Sequence, residues 1–427
     1  MPTPVFRAPN LPSISATVIG WLTEPTHQPL APQVRGWNDA DWETARWGIQ
    51  VHGIAPLLDR AAATWPDAHM LHPRLRAYLA DQRRLSAARV ARLLGELAET
   101  LAALHAAGVA ALPLKGSLLA TRYYPEPGLR PMNDLDLLVR PEDEPRALAA
   151  LAELGYRLLA RSWKHVALAR PDGSGPTVAF DGEHPDNPRS LDLHTRLHEQ
   201  FWSIGYDLTD RAWSDSSQGQ LFGQPARLMR PGLLLHHLAI HTSCDMIARR
   251  VRLLHLQDIA LVARQVDAAD WEAMLAHVRS CREERFVYPA LAMASRYYPA
   301  VPEMVLQALR PGVPEALLQH LQASDLDQHS FCNAAPTTPA EKLRWFRPGA
   351  EQALALRHML VPNPGELGHW YPRLARPSLL PVAYMRYAAE LLGWGVRRAL
   401  GKPRRKLIER AFGVEPSSDG GYPGSTA

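Results

Sequence analysis

Hydrophobic and polar residues alternate at two different periods along this chain. Apolar residues three or four positions apart predict helices, whereas strict alternation is typical of half-buried strands. The segments with helical spacing are 37–64, 73–107, 233–249, 253–265, 271–281 and 286–298. The strand-like segments are 109–114, 134–139, 156–160, 163–169, 177–180 and 190–197. The pattern predicts an α+β protein in which most strands precede a largely helical C-terminal half.

The strand beginning at Asp134 places two acidic side chains on one face. Successive side chains of a strand point to opposite faces, so Asp134 and Asp136 share a face while the leucines between and after them occupy the other. Carboxylates about 7 Å apart on a strand repel each other unless a cation lies between them. Mg²⁺ prefers oxygen ligands and is commonly held by one or two carboxylates together with substrate phosphates. The strand therefore predicts a divalent metal site.

Two further segments extend this candidate site. Gly116 and Ser117 stand where a short strand leads into a helix, so a backbone without a side chain and a hydroxyl are offered to phosphate oxygens. Lys115 and Arg130 are candidate triphosphate contacts because both carry positive charge. The later alternating segment puts Asp192 and His194 on one face, and sheet pairing would bring Asp192 beside the first two acids.

These motifs, in this order, resemble the polymerase-beta-like nucleotidyltransferase superfamily. The finer pattern of Lys-Gly-Ser, Arg, Asp-x-Asp and Asp-x-His resembles one poorly characterised bacterial branch of it. The resemblance implies a mixed β-sheet nucleotidyltransferase core flanked by helices, and transfer of a nucleoside monophosphate from an NTP with release of pyrophosphate. It implies Mg²⁺ or Mn²⁺ as cofactor and assigns the catalytic and metal-binding roles to Asp134, Asp136 and Asp192. The cofactor-binding residues are Gly116, Ser117, Lys115 and Arg130.

The expected organisation places this core between helical regions. We expect a loosely structured arm over 1–36, a helical segment over 37–72, the catalytic core over 73–200, a helical domain closing the site over 201–310, a helical C-terminal region over 311–400 and a basic, disordered tail over 401–427. One departure from the superfamily is an enlarged turn, rich in Pro and Gly, within residues 118–133. This turn brings Arg130 close to the site.

The composition of the chain bears on which acceptor it uses and in which cellular compartment it works. Basic residues number 47 and acidic residues 43, and the resulting net charge of +4 does not by itself indicate a nucleic-acid-binding protein. A small molecule or peptide product is the favoured acceptor, because no extended basic, aromatic-rich segment is evident. The three cysteines show no disulfide or zinc-ribbon spacing, and the N-terminus lacks a secretory pattern. These observations predict a cytoplasmic protein.

Other functions stay open at this stage. A catalytically silent nucleotide-binding or regulatory protein would keep the same motifs, and a toxin–antitoxin nucleotidyltransferase would modify RNA or protein. His237, His241 and Cys244 have the helical spacing of a zinc site but lack the glutamate of a metalloprotease helix. The helix over 379–400, with the basic run that follows, could rest on an anionic membrane surface, although packing within the protein is preferred.

Overall fold

Five strands form a mixed sheet in which the two acid-bearing strands are neighbours. The strands are β1 (Leu112–Pro113), β2 (Asp134–Leu138), β3 (Arg157–Arg161), β4 (Val166–Ala169) and β5 (Ser190–His194). Their order is β1-β2-β5-β4-β3, with β2 and β5 parallel and the other neighbouring pairs antiparallel. The sheet confirms the predicted α+β class.

The architecture is that of a computed structural model, which describes residues 11–24, 26–162, 164–171, 182–201, 204–331, 337–374 and 376–399. The predicted strand 177–180 and the predicted tail 401–427 lie outside the described residues. The strand predicted over 109–114 is shorter and spans only Leu112–Pro113, where Pro113 has no N–H to donate to the ladder. Leu114 nevertheless continues the pairing by donating its N–H to the Asp136 carbonyl at 2.9 Å.

Helices precede and interrupt the sheet. The N-terminal ones are α1 (Leu11–Thr23), α2 (Leu30–Gln33), α3 (Asp39–His52), α4 (Ala55–Ala62) and α5 (Pro73–Ala106). Within the sheet region lie α6 (Lys115–Arg122) and α7 (Glu144–Glu153). The helix predicted over 37–64 divides at Gly53, whose positive φ of 69° closes α3 through backbone bonds to Gln50 and Ile49.

The N-terminal segment differs from the expected loose arm. Helix α1 buries Ile14, Val18 and Ile19 in the main hydrophobic core. Ile14 and Val18 are one helical turn apart, so they form an apolar stripe. The Pro- and Thr-rich composition of residues 1–36 hid this stripe, because composition averages over a segment whereas packing depends on the few residues of one face.

The chain beyond the sheet begins with two hairpins that the helical prediction for 201–310 did not include. They consist of β6 (His198–Phe201) with β7 (Ile204–Asp207), and of β8 (Ser216–Leu221) with β9 (Gln224–Met229), separated by α8 (Thr209–Ser214). The helices that follow are α9 (Pro231–Ala248), α10 (Leu253–Ala263), α11 (Ala268–Ser280), α12 (Glu284–Tyr297), α13 (Glu303–Leu309), α14 (Glu315–Gln322), α15 (Pro339–Leu343), α16 (Ala350–Leu360), α17 (Pro364–Trp370) and α18 (Leu380–Ala399).

One hydrophobic core joins the N-terminal helices, the sheet and the helices up to α16. A smaller cluster of Leu367, Tyr371, Ala383 and Tyr387 packs α17 against α18. Among the described residues, no helix combines the length and apolar character needed to cross a membrane.

The long helix α5 fixes the segments that enter both acid-bearing strands. Arg89, 2% exposed, donates hydrogen bonds from Nε to the carbonyl of Met132 at 2.9 Å and from Nη2 to the carbonyl of Pro188 at 2.8 Å. Its Nη1 donates to the carbonyl of Asn187 at 2.7 Å. Met132 precedes β2, and Pro188 precedes β5. One buried guanidinium therefore ties together the two chain segments that lead to the candidate acids.

Candidate active site

Parallel pairing of β2 with β5 brings the predicted acids together. Asp136 lies opposite Asp192 in the register, and Asp134 lies opposite Ser190. Because side chains alternate along each strand, Asp134, Asp136 and Asp192 occupy one face of the sheet. The leucines between them are buried on the other face. Three carboxylates thus lie on one polar face of the sheet, and the opposite face packs into the hydrophobic core.

The three carboxyl groups differ in their ionisation. Burial, and then repulsion from Asp136, raises the pKa of Asp134 to about 6. Burial, and then repulsion from Asp136 and Asp134, raises the pKa of Asp192 to about 8. Burial would also raise the pKa of Asp136, but Lys115 and a hydrogen bond from His194 hold it below the ordinary value. The site carries more carboxylates than its own cations can balance, which is the electrostatic setting that a bound cation relieves.

Lys115 supplies the positive charge nearest to the acids. Its Nζ lies 3.8 Å from Asp136 Oδ1, and attraction by Asp136 and Glu199 outweighs burial and raises its pKa above the ordinary value. Lys115 is the first residue of α6 and has a positive φ of 36°, which costs about 1 kcal/mol or more for a residue with a Cβ. The chain thus enters α6 through a strained turn that directs a lysine to the acids.

Gly116 and Ser117 are packed closely within the protein. A Cβ added to Gly116 would lie 2.9 Å from Arg130 Nη1 and 3.1 Å from Met132 Sδ, so the enlarged turn approaches α6 closely here and a larger residue would displace these side chains. Ser117 is 1% exposed, and its hydroxyl donates to the carbonyl of Leu114 at 3.3 Å. Their predicted role as a phosphate seat stays a prediction.

Arg130 is anchored to the helical region. Its Nε and Nη2 donate to the two carboxylate oxygens of Asp258, on α10, at 3.0 and 2.8 Å. The hydroxyl of Tyr124 donates to the same carboxylate at 2.8 Å. The enlarged turn therefore docks on α10 through a buried bidentate ion pair. A contact between Arg130 and a triphosphate stays a prediction.

Two histidines complete the polar face and were not among the predicted site residues. His194 Nε2 lies 2.9 Å from Asp136 Oδ1, and His165 Nε2 lies 3.4 Å from Asp192 Oδ2. Burial, and then the neighbouring His194, lowers the pKa of His165 to about 4. Side-chain atoms of His165, Asp192 and His194 lie within 4.8 Å of one another, close enough to share a metal ion. The alternation of β5 marked the face of His194, but His165 precedes β4 and had no motif to identify it.

A buried carboxylate links this face to α9. Glu199, on β6, accepts hydrogen bonds from Lys164 Nζ at 2.8 Å and from His241 Nδ1 at 2.9 Å. Burial raises its pKa, but Lys164 and His241 outweigh that effect and hold the pKa well below the ordinary value. The Nδ1 atom of His241 is therefore engaged by Glu199. Within the described part of the chain, neither of the metal-competent groups contains His237, His241 or Cys244.

The mixed sheet with acids on its two parallel strands is the arrangement that the resemblance to nucleotidyltransferases implied. A family model described as uncharacterised nucleotidyltransferase matches residues 38–299, and this chain belongs to that family. The search of curated proteins found no match to this chain.

Two solved structures are similar over part of the chain. The antibiotic-resistance factor ANT(2'')-Ia is 16% identical with a TM-score of 0.33, covering 45% of this chain and 95% of that one. A nucleotidyltransferase-like antigenic protein from Paracoccidioides brasiliensis is 13% identical with a TM-score of 0.29, covering 51% of this chain and 97% of that one.

Proposed function

We propose that this nucleotidyltransferase moves a nucleoside monophosphate from an NTP to an acceptor in a reaction that depends on Mg²⁺, or on Mn²⁺ in its place. The observation that carries the proposal is the register of β2 and β5, which pairs Asp136 with Asp192 and leaves Asp134 on the same face two residues away. Lys115 lies at the same face, 3.8 Å from Asp136. Three carboxylates beside a cationic side chain suit a triphosphate held with a divalent ion.

The donor set fits a hard divalent cation. Asp134, Asp136 and Asp192 supply the carboxylate oxygens that Mg²⁺ and Mn²⁺ favour, and their mutual repulsion supports binding of positive charge between them. When bound, such an ion neutralises phosphate oxygens and holds the triphosphate in place. His194, through its hydrogen bond at 2.9 Å, orients the carboxylate of Asp136.

Side chains of the acidic face have separate roles in the transfer step. Lys115 neutralises charge on the phosphates, and Asp192, ionised when positive charge is bound beside it, accepts the proton of the acceptor hydroxyl. The acceptor oxygen forms a bond to the α-phosphorus as the bond between the α-phosphorus and the oxygen that bridges to the β-phosphate breaks. The products are the nucleotidylated acceptor and pyrophosphate.

A small molecule or a peptide is the proposed acceptor. Nucleic-acid-binding proteins concentrate positive charge on one surface. Here 47 basic residues are nearly balanced by 43 acidic ones, and many arginines are held in ion pairs, including Arg89, Arg130, Arg249 and Arg285. Transfer of label to macromolecules but not to the small-molecule or peptide fraction of a cell extract would contradict this assignment.

Label transfer from NTPs tests the reaction. The protein is incubated with each NTP labelled at the α-phosphate, beginning with ATP, together with Mg²⁺ and fractionated extract, and released pyrophosphate is measured in parallel. We expect Mg²⁺-dependent transfer by the native chain and none by the Asp134→Asn, Asp136→Asn double variant. Asp81→Asn, at an exposed position on α5, is the matched control and retains transfer. Equal transfer by the native chain and the double variant would overturn the proposal.

A further inference from the structure

A second group of metal-ligating side chains lies among the C-terminal helices and shares no residue with the acidic face. His236 on α9, His277 on α11 and Glu283 before α12 each place one ligand atom within 4.8 Å of the other two. His236 Nε2 lies 2.9 Å from Glu283 Oε2. Both residues are buried, His236 completely and Glu283 to 5% exposure. Two helices and the residue that precedes a third therefore converge on one small polar cluster.

The end of α11 adds a thiol to this cluster. His277 and Cys281 are four residues apart, and Cys281 Sγ lies 3.7 Å from His277 Nε2. Arg282 then takes a positive φ of 58°, which reverses the chain. After this reversal the N–H of Glu283 donates to the carbonyl of Val278 at 2.8 Å, and the carboxylate of Glu283 comes back beside the helix. Cys281 is exposed and is a free cysteine.

We propose that His236, His277, Cys281 and Glu283 form a Zn²⁺ site that is separate from the nucleotidyl-transfer site. Two imidazoles, a thiolate and a carboxylate are the ligand types that zinc takes in tetrahedral sites. Ligand atoms that share such an ion lie about 3.3–3.7 Å apart, since the bonds are about 2.0–2.3 Å long.

The positions of His236, His277 and Glu283 fit this assignment as they stand, and that of Cys281 fits after a side-chain rotation. Cys281 Sγ lies 3.7 Å from Nε2 and 3.9 Å from Nδ1 of His277, beside the ring, so its exposed side chain must rotate to present the sulfur to the ion. The His236–Glu283 distance of 2.9 Å is that of a shared proton. On zinc binding the ring proton of His236 moves from Nε2 to Nδ1, which frees Nε2 for the ion, and the thiol proton of Cys281 passes to solvent. His236 and Glu283 then move apart by about half an ångström.

The role of this site is to fasten the helical region. The ligands join α9 and α11 to the segment that starts α12, and α9 also carries His241, the partner of Glu199. Zinc binding is therefore expected to stabilise the elements behind the acidic face without contributing a ligand to it. The proposal stands independently of the proposed reaction, because it concerns different residues.

Cobalt substitution tests the site in the full-length chain. The experiment uses the Asp134→Asn, Asp136→Asn, Asp192→Asn background, so that neither the acidic face nor the neighbouring group of His165, Asp192 and His194 competes for the metal. We expect about one tightly bound Co²⁺ per chain, with the intense visible spectrum of tetrahedral coordination and a thiolate charge-transfer band in the near ultraviolet. Cys281→Ser should abolish that band, whereas Cys244→Ser, the matched control, should keep it.

The stability of the folded chain gives a second readout. In the same background Zn²⁺ should raise Tm, and addition of His277→Ala, at a half-buried position, should remove this increase while leaving the circular dichroism spectrum of the apo chain unchanged. A charge-transfer band that persists in Cys281→Ser would overturn the proposal. The proposal would also be overturned if the folded chain bound Co²⁺ and Zn²⁺ no more tightly than the His277→Ala variant does.

Discussion

At the scale of single residues, the chemistry of the acidic face depends on the unequal environments of three similar side chains. Asp136 has Lys115 at 3.8 Å and His194 at 2.9 Å, and it is ionised at neutral pH. Asp134 and Asp192 have raised pKa values because burial and the charge of Asp136 act against their ionisation. Asp136 is therefore the permanent negative charge of the site.

Substitution of Asp136 should remove nucleotidyl transfer. Asparagine keeps the size of the side chain but removes the charge that Lys115 and His194 hold in place. We expect Asp136→Asn to lower the rate of transfer by about 100-fold or more, since an electrostatic partner of the reacting phosphates is lost. Single-turnover assays with labelled NTP measure this, and Asp81→Asn is the control. A rate within a factor of about two of the native value would contradict the assigned role.

Asp192 should make the metal-free protein less stable as pH rises. The unfolded chain loses the Asp192 proton near the ordinary aspartate pKa, whereas the folded chain holds it up to about pH 8. The folded state then binds more protons, so the contribution of Asp192 to the free energy of unfolding falls between those two values. Urea unfolding in EDTA should show a smaller decline with pH for Asp192→Asn than for the native chain. An identical decline in both would disprove this linkage.

At the scale of elements, Arg89 on α5 is the clearest structural support of the site. Replacing it with methionine leaves the carbonyls of Met132, Asn187 and Pro188 without the guanidinium donor. Buried polar groups that lose their partner cost about 1–3 kcal/mol each, so Arg89→Met should lower the free energy of unfolding by about 3 kcal/mol or more. Urea denaturation measures the change.

A neighbouring arginine on the same helix provides the control for Arg89. Arg92 also bonds to the segment before β5, through Asp186 at 2.7 Å and the carbonyl of Pro185 at 3.0 Å, but its side chain is 51% exposed. Arg92→Met should therefore change stability by less than about 1 kcal/mol. Equal losses for the two variants would show that the buried contacts of Arg89 have no special importance.

The elements that could be predicted from the sequence are those whose signal is local. Alternation over 134–139 and 190–197 located β2 and β5, because the side-chain period of a strand is visible in a few residues. The hairpins of β6 to β9 carry weak alternation and were missed. The hydrogen bonds of Glu199 to Lys164 and His241 join residues 35 and 42 positions apart. Only the fold brings such residues together, so no local motif could indicate them.

The same limit applies to the residues of the predicted site. The sequence predicts that Gly116 lets a phosphate approach the backbone. In the structure, a Cβ at this position would first contact Arg130 and Met132 of the same chain. Arg130 was placed near the acids by the enlarged turn, but its partner Asp258 is 128 residues away. A sequence pattern identifies which residue types can do the chemistry. It does not identify the neighbours that hold them.

At the scale of the whole molecule, polar contacts join residues near the acidic face to the helices that follow. One is the hydrogen bond between Glu199 and His241, and another is the buried pair of Arg130 with Asp258. Both link residues near the acidic face to α9 or α10. The single hydrophobic core that spans these regions is consistent with this arrangement. The site and the helical region should therefore unfold together.

Breaking the second link should destabilise the molecule. Asp258 is 2% exposed, and Asp258→Asn leaves the Arg130 guanidinium buried without its counter-charge. Loss of one partner of a buried ion pair costs about 3–5 kcal/mol, and we expect a decrease of that size in the free energy of unfolding. Asp186→Asn, at an exposed ion pair, should change it by less than about 1 kcal/mol. Chemical denaturation followed by fluorescence measures both changes. Equal midpoints for the two variants would contradict this prediction.

The most direct test of the acidic face is a titration of the chain with Mn²⁺, followed by electron paramagnetic resonance, in the presence of a non-hydrolysable NTP. The native chain and Asp81→Asn should bind Mn²⁺ in a nucleotide-dependent manner, seen as loss of the free-ion signal. The Asp134→Asn, Asp136→Asn double variant should lose this nucleotide-dependent binding while remaining folded. Identical titrations for the native chain and the double variant would contradict the claim that these carboxylates form the metal and nucleotide site.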